Sequence, residues 1–160
     1  MLLISDANIF IDMEEGGLID KLFQLQEQFA VPDILFMEEL LEYHADLPAK
    51  GLLIKELKDT TIINVYHLRK IYKHPSQNDL FALALALQEK CPLITGDKRL
   101  RDVAKAENVE LKGTLWIVQR MFEDKLITKN QAKDAYNNMR EANRRLPWDQ
   151  VDAQLKRFRK

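Results

Sequence analysis

The chain has 160 residues, 46% hydrophobic and 31% charged, with a formal net charge of −1; that length buries one proper core, so a single domain is expected. The near-neutral balance argues against gripping nucleic acid by bulk positive charge, and one cysteine, Cys91, leaves no disulfide framework and no thiolate cluster for zinc. No run approaches the roughly 18 apolar residues of a membrane span, and Asp6 interrupts MLLISDANIF before a signal-peptide core can form, so a soluble, cytoplasmic protein without membrane contact is expected.

Short apolar runs alternate with longer amphipathic ones, the pattern of strands joined by helices in a parallel sheet. Leu2 to Ser5 reads as the first strand, and a helix over residues 17 to 28 is predicted from Leu18, Leu22, Leu25 and Phe29 on one face. Phe29 to Val31 is a second strand. Pro32 and Asp33 open a helix that carries Ile34, Met37, Leu41 and His44 on one side. A short strand at 52–57 precedes another helix, although Thr60 to Ile63 is rich in β-formers.

Ser76 starts a long helix, 78–90, whose LFALALAL centre is apolar nearly all round and should be central. Pro92 to Thr95 reads as a buried strand, 98–107 as a helix, Val109 to Leu111 as a last short strand and 113–124 as a helix. Thr128 caps a helix to about Arg144, and Leu146-Pro147-Trp148 breaks the chain before a short basic helix. Residues 140 to 160 carry seven Lys/Arg against three Asp/Glu. This basic tail on an acidic body reads equally well as a solvated helix end or as a phosphate contact.

Two aspartates directly follow apolar strands, Asp6 after LLIS and Asp97 after LITG, where open parallel sheets place ligands. Each also suits the cap of the helix that follows it. Asp79 completes a capping box with Ser76, Glu38, Glu39 and Glu42 suit a solvated helix face, and Asn8 suits either a cap or a hydrogen bond to a carboxylate. Singly, none is a site.

As a set, SDANIFID, VPDILFMEELL, HPSQNDLFALALAL and LITGDKRLRDVA resemble, in that order, the PIN-domain family of metal-dependent nucleases. The resemblance covers residues 1 to 128 and is most specific from Ser76 to Ala104. It implies an α/β fold with a parallel sheet of four to five strands flanked by helices, a nuclease domain over 1–128 and a basic helical extension over 129–160 packed on it. It implies acidic positions at Asp6, Glu39, Asp79 and Asp97, the three aspartates as metal ligands, with Asn8 and Thr95 as supporting polar residues. The helix register leaves Glu38 and Glu42 as alternatives to Glu39. The segment 112–128 resembles the VapC-like toxin branch of the family, with Trp116 where those relatives often have glycine. The implied partners are RNA as substrate, a second copy in a homodimer and a small antitoxin protein.

All-carboxylate ligands suit Mg2+ or Mn2+, which prefer hard oxygen donors, and His44, His67 and His74 show no zinc spacing. Clustered carboxylates repel one another, and a divalent ion relieves this while activating water for phosphodiester hydrolysis. Lys98, Arg99 and Arg101 stand where they could guide phosphates, or form a solvated helix face. Phosphoryl transfer through an aspartyl phosphate at Asp6 is disfavoured, because Asp6-Ala7-Asn8 lacks a second aspartate. A catalytically inactive nucleic-acid- or partner-binding scaffold is the alternative to a metal-dependent endoribonuclease.

Overall fold

In the computed structural model, which describes residues 1–159, the strand β1 (Leu2–Ser5) runs into α1 (Ala7–Glu15), a single-turn α2 (Ile19–Leu22) and β2 (Gln28–Pro32). Helix α3 (Asp33–Leu35) passes through a π-helical turn (Phe36–Leu40) into α4 (Leu41–His44); α5 (Leu47–Lys50), β3 (Leu53–Lys55), α6 (Asp59–Ile71) and α7 (Gln77–Glu89) follow. Then come β4 (Leu93–Ile94), α8 (Lys98–Ala106), β5 (Leu111–Lys112), α9 (Thr114–Glu123), α10 (Lys129–Glu141) and α11 (Trp148–Arg157). Among the described residues no helix is long and apolar enough to cross a membrane.

All strand pairs are parallel, in the order β3-β2-β1-β4-β5, with Leu3 opposite Phe29, Ile4 opposite Leu93 and Leu93 opposite Leu111. The chain builds outward from β1 to β3, then returns to build on the other side of β1. The carboxyl ends of β1 and β4 therefore flank a topological switch point, the crevice where open α/β sheets bind ligands. Asp6 and the corner from Thr95 to Asp97 both stand there. Helix α7 packs on β1, β2 and β4 and touches α3, α6 and α8, as its all-round apolarity requires. Its buried alanines, Ala82, Ala84 and Ala86, let neighbouring elements approach closely.

Several boundaries differ from the sequence expectation. The predicted helix over 17–28 is only the single turn of α2, although Leu18, Leu22, Leu25 and Phe29 are all buried. Turn bonds from Gln24 N to Lys21 O and from Leu25 N to Leu22 O bring the chain down to the sheet, where Gln28 N donates to Met1 O. Burial recurs at helical spacing there without a continuous helix. Pro32 ends β2 and is at once the N-cap of α3, as expected, but the expected apolar face of Ile34, Met37 and Leu41 is exposed. The π turn contains one extra residue per turn and rotates the helix, so that Leu35, Phe36 and Leu40 are buried instead.

The last strand is Leu111–Lys112 rather than 109–111. After α8, Asn108 adopts φ 61° and Val109 N returns to Ala104 O, which uses two residues in the turn. A similar turn ends α10 at Glu141, short of Arg144: Asn143 has φ 60° and Arg144 N donates to Met139 O at 3.0 Å. Beyond it the helices pack back on the sheet domain. Helix α10 lies on α1 with Met139 against Gly16, Tyr136 Oη donates to Gln154 Oε1 at 2.5 Å, and Phe122 stacks on Phe158 with centroids 3.9 Å apart.

Candidate active site

Asp6 is the N-cap of α1 and is 3% exposed. Its Oδ1 accepts from Ile9 N at 3.3 Å, and its Oδ2 accepts a short hydrogen bond from the Thr95 hydroxyl. The same Thr95 oxygen accepts from the backbone N–H of Asp97 at 3.1 Å. One buried hydroxyl thus ties together the two acids that end β1 and β4. Asp97 caps α8 in turn, its Oδ1 accepting from Arg99 N at 2.8 Å and Leu100 N at 3.2 Å.

Asp79 sits in the first turn of α7, inside the expected capping box: Asp79 N donates to Ser76 Oγ and Ser76 N donates to Asp79 Oδ2, both at 3.1 Å. The cap reading of these aspartates is therefore correct in geometry, and it coexists with a shared electrostatic environment. Burial raises the Asp6 carboxyl to about 7, with the charges of Asp79 and Asp12 adding and the bonds from Thr95 and Ile9 opposing. Burial also raises Asp79, helped by the negative charge of Asp97 and opposed by the Ser76 bonds and Arg69. Glu39 is raised by desolvation of its crowded carboxyl, although the residue as a whole is exposed; Asp79 and Glu38 add to the rise and the Asn78 amide opposes it. Asp79 is thus the hub at which Asp6, Asp97 and Glu39 meet electrostatically.

The π turn presents two glutamates to this region. Asn78 Nδ2 donates to Glu38 Oε2 at 2.9 Å, while Glu39 stands in the field of Asp79. Hard carboxylate oxygens lying partly buried in one another's field are the donor chemistry a divalent cation relieves, so the residues fit such an ion chemically. Among the described residues, no three Asp, Glu, His or Cys side chains are gathered tightly enough to hold an ion as they stand.

Of the four acids only Asp97 lines the adjoining cleft of about 650 Å³, together with Asn8, Lys98, Arg99, Arg144 and Arg145 among others. Asn8 accepts at Oδ1 from Arg144 Nη2 at 3.3 Å, rather than bonding an acid. Lys98 and Arg99 are exposed at the rim, whereas Arg101 is committed to the scaffold, its Nη1 donating to Thr95 O at 2.6 Å and Lys112 O at 3.3 Å. Through Nη1, Arg101 clamps β4 to β5 below the acids.

Sequence reasoning missed Asp12 and Arg144. Asp12 is 5% exposed and accepts from Arg144 Nε at 2.6 Å and Thr114 Oγ1 at 3.1 Å. Burial raises its carboxyl against the pull of both partners. An acid embedded in the apolar run IFIDM was the available signal for a buried partner; that the partner is an arginine 132 residues away is a tertiary fact.

A PIN-domain family model matches residues 2–160, so the match runs through the basic tail. No curated protein matches the chain. Among solved structures, the VapBC2 complex of Rickettsia felis bound to a DNA fragment from its promoter contains a chain with 16% identity and a TM-score of 0.50, covering 71% of this chain and 98% of that one. A PilT N-terminus domain protein of Sulfolobus solfataricus has 11% identity and a TM-score of 0.47, covering 74% of this chain and 92% of that one. The resemblance read from the four acidic segments thus agrees with a model spanning nearly the whole chain, and the protein belongs to the PIN-domain family.

Proposed function

We propose that the protein is a metal-dependent endoribonuclease that hydrolyses RNA phosphodiester bonds, with Asp6, Glu39, Asp79 and Asp97 as its acidic centre. The observation that carries this reading is the placing of Asp6 and Asp97 beside the switch point, tied through the one Thr95 hydroxyl, with Asp79 in the field of Asp97 and Glu39 in the field of Asp79. Asp6, Asp79 and Asp97 would hold Mg2+ or Mn2+, and Glu39 would complete the set. The bound ion would supply an activated water and charge stabilisation on the leaving oxygen. The chain's own residues do the rest. Thr95 fixes Asp6 and the Asp97 amide in one register, and Lys98 and Arg99 draw the phosphate backbone to the cleft.

A scaffold without catalysis is favoured by one observation: each aspartate already serves as a cap or a capping-box partner, and among the described residues no ligand cluster is assembled. Titration of Mn2+ into the wild type and Asp79→Asn, followed by the paramagnetic signal of free ion, separates the two readings. A nuclease binds Mn2+ and loses most of that binding in Asp79→Asn while remaining folded; a scaffold shows no saturable binding in either.

The toxin of a toxin–antitoxin pair is the role we infer within that activity, in a cytoplasmic homodimer blocked by a small antitoxin. The family resemblance and the fold shared with a VapBC2 chain support it, as do exposed apolar side chains at Met37, Tyr43, Ile63 and Tyr66 that an assembly would cover. Induced expression that arrests growth, relieved by Asp97→Asn, is the expected result; harmless expression of active enzyme would point to RNA processing instead.

A further inference from the structure

Asp97, alone of the four acids, lines one end of a longer depression. A second cleft, of about 590 Å³, adjoins the first, and both are lined by Asp12, Gly96, Lys98 and Arg145. The two halves differ in character. The first carries Asp97 with Lys98, Arg99 and Arg145, and these three cations make no ion pair among the described residues. Arg144, the remaining cation there, is spent on Asp12 and Asn8. The second half is walled by Leu115, Trp116, Leu146 and Pro147, with Arg101, Thr114 and Gln150 among its polar groups.

Trp116 is half-buried, and Lys112 Nζ lies 4.5 Å from its ring centroid, a cation–π contact that holds the indole in place. A fixed aromatic ring flanked by apolar side chains takes a planar, uncharged partner; unpaired cations beside it take an anion. A nucleotide carries both, and its base can stack only when it is not already stacked in a duplex.

Resting on the ribonuclease reading, we propose that the second cleft is a subsite for one unpaired nucleotide flanking the cleavage position in single-stranded RNA. Its base stacks on Trp116 between Leu146 and Pro147, and its phosphate lies between Lys98 and Arg145. Trp116 and Arg145 are then specificity-determining residues outside the acidic centre. Because Arg145, Leu146, Pro147 and Gln150 come from the chain beyond α10, the C-terminal segment builds part of the substrate track.

The test uses the full chain carrying Trp148→Phe, which leaves Trp116 as the only tryptophan, titrated in chelator with a short unstructured RNA and with the same RNA as a duplex. Single-stranded RNA is expected to quench Trp116 emission, and the duplex is expected to leave it unchanged. Trp116→Ala should weaken single-strand binding roughly 10-fold while Trp116→Phe retains most of it. Lys98→Ala with Arg145→Ala, both at exposed positions that leave the core intact, should weaken binding and flatten its salt dependence. Absence of quenching, or unchanged affinity in Trp116→Ala, overturns the subsite. Binding is read without metal, so a quenched complex that metal-loaded protein does not cut sinks the nuclease reading and leaves the subsite standing. Metal-dependent cutting by Trp116→Ala with unchanged KM does the reverse.

Discussion

Asp6 couples the site to stability. Its carboxyl is raised from 3.8 to about 7 on folding, so between those values the native state keeps a proton that the unfolded chain has lost. In the metal-free protein the contribution of this group to stability is therefore fully present below about pH 4 and is lost as pH rises to about 7, by at most about 1.4 kcal/mol per pH unit. Urea melts in chelator across that range should show the fall, and Asp6→Asn should flatten it; parallel profiles would mean that Asp6 ionises freely in the fold. Asp12 makes a complementary case. Arg144→Ala strands a buried carboxylate and should cost about 3 kcal/mol, near the low end because the Arg144 side chain is 23% exposed. Combining it with Asp12→Asn should recover part of that loss; an additive double variant would show that the pair is not coupled.

Among the elements, the capping signals were the most legible part of the sequence. Ser76 with Asp79 and Thr128 with Gln131 both form the reciprocal boxes their spacing announces. Ser76→Ala removes the acceptor of the Asp79 N–H and should cost about 1 kcal/mol in thermal or urea unfolding, while the Asp79 carboxylate keeps its bond from the Ser76 backbone N–H and Mn2+ affinity stays no lower than in the wild type. A large loss of Mn2+ affinity would mean that the box, rather than the acid itself, shapes the centre. The parallel sheet and the central helix were also readable, since runs such as LLIS, FAV and PLIT admit few alternatives and LFALALAL must be buried on several sides; the strand order is a tertiary fact. The helix after β2 was not. Leu35, Phe36 and Leu40 fit a helical face as well as Ile34, Met37 and Leu41 do, and only tertiary packing selects between them. Glu38 and Glu39 could not be separated for the same reason. Leu22 and Leu25 misled in the opposite sense, because a turn that dives into the core buries leucines at helical intervals.

At the scale of the molecule, the C-terminal helices look separable in sequence, where the resemblance fades after residue 128, yet they are interleaved with the site in space. Met139 fills the space over Gly16, Tyr136 bonds Gln154, and Arg144 crosses to Asp12 on α1. We propose that residues 129–160 are an extension on which the nuclease domain depends, and a chain ending at Thr128 should lose cooperative unfolding in calorimetry. A sharp transition within a few degrees of the wild type would make the tail dispensable. The pairing of Asp12 with Arg144 was beyond sequence reasoning because neither residue carries a local pattern; only the turn at Asn143 brings the basic tail back to the switch point.

The most direct measurement is cleavage of labelled single-stranded RNA and transfer RNA by the wild type and Asp97→Asn side by side, with Mn2+, with Mg2+ and with chelator, after both are shown to be equally folded. Internal cutting that requires metal and disappears in Asp97→Asn is the expected result. Equal cutting by both proteins, or cutting that persists in chelator, would contradict a carboxylate-held metal centre at the carboxyl ends of β1 and β4.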